Sequence, residues 1–200
     1  MHSWTERVEA LLAGERRVIL GITGPPGAGK TALAGSVASA FADAVELPMD
    51  GFHLADVELK RLGRLNRKGA IDTFDAYGYL ALLQRIRAQP QHIVYAPAFD
   101  RTIEQPVAGS IPVTFGHRLV VTEGNYLLDG EEPWPAIRAQ LSEVWFIDVP
   151  RDERRRRLIA RHVTFGKSLD DAEAWVRDVD ERNADRIENA RDRADFLVTL

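Results

Sequence analysis

The chain has 200 residues, 45% hydrophobic and 28% charged, the make-up of a folded domain that buries most of its apolar surface without staples. It has no cysteine, which excludes disulfides, thiolate metal sites and a cysteine nucleophile. A formal net charge of −4 offers no overall basic field for nucleic acid. No apolar run reaches the ~18 residues of a membrane span, and the charged N-terminus lacks a signal-peptide core, so a cytoplasmic protein is expected.

Near the N-terminus, Ser3-Trp4-Thr5-Glu6 fits a capping box ahead of a short amphipathic helix, with Val8, Leu11 and Leu12 on one face and Gly14 as its stop. The continuous apolar run 18–22 reads as a strand buried on both faces. A Gly/Pro turn leads into an Ala-rich helix over about 30–41. Residues 45–49 form a second short strand, with Pro48 near its end. Residues 51–75 are irregular and rich in Lys and Arg. Leu80, Leu83 and Ile86 predict a helix over 79–87. A short strand is expected at 93–95, and Pro97, Pro106 and Pro112 make 97–116 a loop or a β-excursion. Strands at 119–122 and 144–149, helices at about 151–163 and 170–190, and a last strand at 196–200 complete the chain. Strands alternating with helices predict one α/β domain around a parallel sheet, without internal repeat or linker.

Gly24-Pro25-Pro26-Gly27-Ala28-Gly29-Lys30-Thr31 fits G-x-x-x-x-G-K-[ST] between a buried strand and a helix. The glycines let backbone amides approach phosphate oxygens, and the helix start adds its positive dipole end. Lys30 is placed to reach the β- and γ-phosphates, and the Thr31 hydroxyl to ligate Mg²⁺. Such a loop needs a strand-end carboxylate beside it. Glu123, closing an apolar strand before Gly124, is the candidate; Asp148, followed by Pro150 and a helix, reads as a cap or surface end. Asp50 also ends a strand, where it can take the proton of an acceptor hydroxyl or simply occupy a turn before Gly51. Arg154, Arg157 and Arg161 share one face of the 151–163 helix, whereas Arg155 and Arg156 read as solvent or salt-bridge residues.

GPPGAGKT at 24–31, MDGFHL at 49–54, RKGAIDTFD at 67–75, PAFDR at 97–101, EGNYLL at 123–128 and RLIAR at 157–161 occur together. With them the chain resembles the P-loop kinases that include uridine kinase, phosphoribulokinase and type I pantothenate kinase. Among these it is most similar to bacterial nucleoside/nucleotide kinase-like proteins named fructose transport system kinases. The resemblance implies a P-loop NTPase fold with a helical lid at about 151–168 and acceptor-site insertions at about 51–78 and 97–116. It implies ATP and Mg²⁺ as cofactors, Asp50 as general base, Glu123 near the metal, and Arg157 and Arg161 as lid residues on the ATP phosphates. His53, Arg67, Lys68, Phe99, Arg101 and Glu104 join Asp50 in the acceptor site. Where uridine kinases carry a base-reading His after a Tyr-Asp pair, this chain has Glu104, which suits hydroxyls better than uracil. The expected acceptors are therefore a sugar such as fructose, then a pantothenate-like acid, then a nucleoside. A homodimer is left open. The rivals are a regulatory P-loop NTPase, for which Asp75-Ala-Tyr-Gly78 matches D-x-x-G without any N-K-x-D partner, and a nucleotide-binding module of a transport system.

Overall fold

The computed structural model describes residues 4–14 and 16–199. Ser3 of the capping box and Leu200 of the last strand lie outside them. The elements run α1 (Trp4–Leu12), β1 (Val18–Thr23), α2 (Lys30–Ala40), β2 (Ala44–Pro48), α3 (Asp56–Arg61), α4 (Ala76–Arg87), β3 (Val94–Asp100) and β4 (Gln105–Val113). They continue as β5 (Leu119–Glu123), α5 (Trp134–Arg138), β6 (Glu143–Asp148), α6 (Arg151–Thr164), α7 (Leu169–Trp175), α8 (Glu181–Glu188) and β7 (Phe196–Thr199).

Five strands form one parallel sheet in the order β2-β5-β1-β6-β7. The central β1 is buried at every position, as a strand covered on both faces must be. Alternate side chains feed two cores. Ile19, Val120, Val144 and Phe146 pack on one face against α4 and the β3–β4 hairpin. Leu20, Ile22, Val121 and Trp145 pack on the other against α1 and α2. The register pairs Glu123 with Ile22 on one side and Pro48 on the other, so β1, β5 and β2 end level. Loops at such carboxyl ends are where open α/β sheets bind ligands.

Two segments differ from the sequence reading, and in a third the β-excursion is found in place of the loop. Residues 97–116 are largely strand: β3 extends to Asp100 and pairs antiparallel with β4. The register slips between Ala96 and Ala98, where Pro97 has no N–H to donate. The 170–190 helix is split into α7 and α8 by a π-helical turn, Val176–Asp180. The strand expected at 45–49 stops at Pro48, and Met49–Phe52 make a tight 3₁₀ turn. Among the described residues no helix is long and apolar enough to cross a membrane.

A buried chain of hydroxyls ties α4 to the sheet. The Tyr79 hydroxyl donates to Thr122 Oγ1 at 2.6 Å, and Thr122 donates to the Leu47 carbonyl at 2.6 Å. Tyr79→Phe removes one link and should cost about 1 kcal/mol, a drop of roughly 2–4 °C in Tm for a chain of this size. A thermal melt reads it directly.

Candidate active site

Gly29 adopts a left-handed conformation, φ 96°, immediately before α2. The first turn of α2 has no side-chain cap, so its amides stay available to an anion. Gly27, φ 80°, is needed for closeness as well as conformation. A Cβ there would stand 2.8 Å from the Arg154 carbonyl and 3.0 Å from Leu158 Cγ, because α6 lies directly on the loop.

Lys30 folds back over this loop, donating to the Gly24 carbonyl at 2.8 Å and the Pro25 carbonyl at 3.2 Å. Burial brings its pKa down to about 8, against the opposing pull of Glu123 and Asp50. Thr31 Oγ1 donates to Glu123 Oε1 at 3.0 Å. Glu123 is only 6% exposed. Burial, with the charge of Asp50 second, raises its pKa to about 7. Lys30 is thus held by two loop carbonyls and Glu123 by a hydroxyl. Among the described residues no cluster of three or more His, Cys, Asp or Glu side chains could hold a metal alone. Mg²⁺ binds through one or two protein oxygens plus substrate phosphates and water, and the Thr31–Glu123 pair of hard oxygen donors fits that pattern. Asp148, the competing acid, pairs with Arg191 away from the cleft.

Asp50 sits on the 3₁₀ turn, fixed by two close backbone approaches. A Cβ on Gly51 would stand 2.4 Å from the Pro97 carbonyl, and one on Gly124 would stand 2.6 Å from Met49 Sδ. The Asp50 carboxylate reaches Arg101 Nη2 at 3.5 Å. His53 Nδ1 lies 3.9 Å from Asp50 Oδ1 but 2.9 Å from the Asp50 carbonyl. The His53 ring packs 4.1 Å from Phe74 and 5.0 Å from Phe99, centroid to centroid. Burial holds its pKa below the ordinary histidine value, with Asp50 pulling the other way.

One cleft of about 830 Å³ joins these groups. It brings together Lys30, Thr31, Asp50, His53, Lys68, Phe99, Arg101, Glu104, Glu123, Arg157 and Arg161, as well as Pro26, Gly27 and Gly29 of the loop. Lys68 is mostly spent on structure: Nζ donates to Asp56 at 2.7 Å and to the Glu104 carbonyl at 2.6 Å, over the Phe99 ring. Arg67 is a correction. It does not line the cleft but forms a two-pronged pair with Asp72, Nη2 at 2.5 Å and Nε at 3.3 Å, because that carboxylate stands only five residues away, on the next 3₁₀ turn. On α6, Arg154 parts from the two arginines whose face it shares. It is 3% exposed, with Nη1 3.3 Å from the Pro26 carbonyl and 3.5 Å from Glu181, so it anchors the helix instead of joining Arg157 and Arg161 in the cleft. Arg157 pairs with Glu153 and reaches the Gly27 carbonyl at 3.5 Å. Arg155 and Arg156 are exposed and outside the cleft. Asp75 accepts from Gly78 N at 2.8 Å as the N-cap of α4, which accounts for the D-x-x-G match. Sequence reasoning missed Asn125, His162, Phe165, Trp175, Asp180 and Asn183 in the lining. Of these only Asn125 stood within a motif, EGNYLL.

A glycine-rich loop between a central parallel strand and an uncapped helix, with a strand-end acid bonded to its threonine, defines a P-loop nucleotide-binding domain. No protein-family model matches the chain. Individual proteins do. The "ATP-dependent kinase-like protein notR'" of Aspergillus versicolor is 38% identical over 148 residues, 70% of this chain and 86% of that one. The "Putative uridine kinase C227.14" of Schizosaccharomyces pombe is 33% identical over 181 residues, 86% of this chain and 77% of that one. The crystal structure of a "putative fructose transport system kinase" from Silicibacter sp. TM1040 superposes with a TM-score of 0.89 at 32% identity, covering 99% of this chain and 100% of that one. The chain belongs to this family of uridine-kinase-like, ATP-dependent P-loop kinases.

The contact of Gly124 with Met49 gives a test of how Asp50 is placed. Gly124→Ala should push the 3₁₀ turn outward and leave the phosphate loop untouched. Misplacement of a reacting group by about 1 Å costs roughly 10²-fold, so kcat should fall by about that factor while ATP affinity, measured by equilibrium binding, holds.

Proposed function

We propose that the protein transfers the γ-phosphoryl group of ATP to a hydroxyl of a small polyhydroxylated metabolite, with a sugar such as fructose as the first candidate. One observation carries this reading. The Asp50 carboxylate opens on the same cleft as the phosphate loop, and its nearest ion partner, Arg101, is no closer than 3.5 Å. A base left this free beside a phosphate site has an acceptor to deprotonate, which a mere nucleotide binder or a switch does not need. The acceptor side is also balanced in charge. Asp50 and Glu104 face Arg101 and Lys167 in the lining, and Lys68 is neutralised by Asp56. That supports a neutral sugar over a pantothenate-like acid. A carboxylate such as Glu104 can accept two hydroxyl hydrogen bonds.

In this mechanism Lys30 leaves the Gly24 and Pro25 carbonyls for the β- and γ-phosphate oxygens. Thr31 and Glu123 would hold Mg²⁺, which when bound offsets phosphate charge. Asp50 orients the acceptor hydroxyl and takes its proton. Arg161, and Arg157 once released from Glu153, meet the charge that grows on the transferring group. An ATP-consuming enzyme of this kind works in the cytoplasm.

The test is ADP release over a panel of fructose, pantothenate and uridine. Fructose should stimulate release above the rate with water alone; a flat response across the panel would sink the reading. Asp50→Asn should lose 10²–10⁴-fold in turnover, in the range of general-base removal, with ATP affinity kept. Lys30→Ala should abolish transfer. A collapse of ATP affinity in Asp50→Asn would make Asp50 a metal ligand instead.

The lid gives a separate expectation. Arg161→Ala should lower the single-turnover transfer rate more than it weakens ATP binding, because the charge it meets is larger in the transition state. Arg155→Ala, outside the cleft, is the control. Loss in Arg155→Ala with none in Arg161→Ala would overturn the assignment.

A further inference from the structure

The distal wall of the cleft carries polar groups that the transfer chemistry leaves unused. His162, in the last turn of α6, has its Nε2 2.8 Å from Asp180 Oδ2. Both side chains are nearly buried, at 14% and 11% exposed, and both line the cleft. Asp180 is aimed by the π-helical turn Val176–Asp180. An extra residue in a helix rotates the next segment by about 100° relative to a regular helix of 3.6 residues per turn. Such turns recur at functional sites.

Holding two helices together needs only one ring nitrogen. The other, Nδ1, has no partner among the described residues, and it is not a buried orphan. Asp180 fixes the ring so that this nitrogen stays free. Asn183 lies three residues beyond Asp180, hence on the same side of the helix. It also lines the cleft, and its amide has no hydrogen-bond partner among the described residues. Trp175 lines the cleft as well, its ring centroid 6.4 Å from that of His162 and 4.4 Å from Lys167 Nζ. A free imidazole nitrogen, a free amide and an indole wall make the chemistry that reads hydroxyl groups on a compact carbon frame.

We propose that His162, oriented by Asp180, and Asn183 form a second recognition pole for the acceptor. Asp50 takes the reacting hydroxyl, and the lid-borne pole takes another hydroxyl of the same molecule. The acceptor is thus a polyol gripped at two ends. This rests on the phosphotransferase reading above and adds the residues that select the acceptor. Atoms and electrons balance as in that reading, since the pole only binds.

Two variants separate recognition from a structural latch. His162→Gln keeps an amide that can donate to Asp180 but loses Nδ1, the ring nitrogen that Asp180 leaves free. His162→Asn places a polar group near that nitrogen but cannot reach Asp180. Each is assayed for KM of ATP, KM of acceptor and Tm, using fructose or whichever of pantothenate and uridine turns over faster. His162→Gln should raise the acceptor KM about tenfold, the loss of about one hydrogen bond, with ATP KM within about twofold and Tm near wild type. His162→Asn should lower Tm and raise the acceptor KM less. A wild-type acceptor KM in His162→Gln would overturn the proposal, as would equal changes in both KM values, which mark a latch. If no member of the panel is phosphorylated by the wild-type protein, the phosphotransferase reading fails first and the second pole falls with it.

Discussion

The site depends on one constraint, the parallel register that ends β1, β5 and β2 at the same level. Pairing Ile22 with Glu123 and Glu123 with Pro48 delivers a phosphate loop, a strand-end acid and a turn aspartate to one edge of the sheet. Parallel hydrogen bonding allows little slack, because a one-residue slip would turn each strand's side chains to the wrong face. The two cores, fed by alternate residues of the same strands, resist that slip. The chemistry is therefore positioned by apolar packing that never touches a ligand.

The same edge concentrates charge that the fold alone does not satisfy. Lys30 is drawn down and Glu123 up by burial, and neither is relieved by a direct ion pair with the other. Isolated charges are expensive to bury, so the arrangement is stable only in so far as neighbouring dipoles and hydrogen bonds carry it: two loop carbonyls for Lys30 and the Thr31 hydroxyl for Glu123. This is preorganisation in the electrostatic sense, with the groups desolvated before the substrate arrives.

The phosphate loop, the alternation of strands with helices and the strand-end acids were legible because each is local. Glycine spacing, an apolar run and the residue after it are adjacent in the chain. Arg67 was misread for the complementary reason: its motif places it beside the acceptor, but Asp72, five residues on, claims its guanidinium. Pro97, Pro106 and Pro112 left loop and β-excursion both open, since a two-stranded ribbon has edge positions at which a missing N–H costs no ladder bond. The distal wall was illegible altogether. His162, Trp175, Asp180 and Asn183 come from separate helical segments, and the π-helical turn that aligns them leaves no periodic trace in the sequence.

Arg154 explains how one helix can serve both ends of the cleft. Its guanidinium is buried between the Pro26 carbonyl and Glu181, and Gly27 stands where α6 leaves no room for a Cβ. Lifting the root of α6 from the loop would take the buried Arg154 guanidinium off the Pro26 carbonyl, and a buried charged donor left without its acceptor costs on the order of 1–3 kcal/mol. The root is therefore part of the rigid phosphate site. From Arg157 onward the helix is exposed on its outer side, while Leu158 stays buried and His162 is held by Asp180. Arg161 and His162, adjacent near the end of α6, both line the cleft, so the helix rooted on the phosphate loop also forms part of the distal wall.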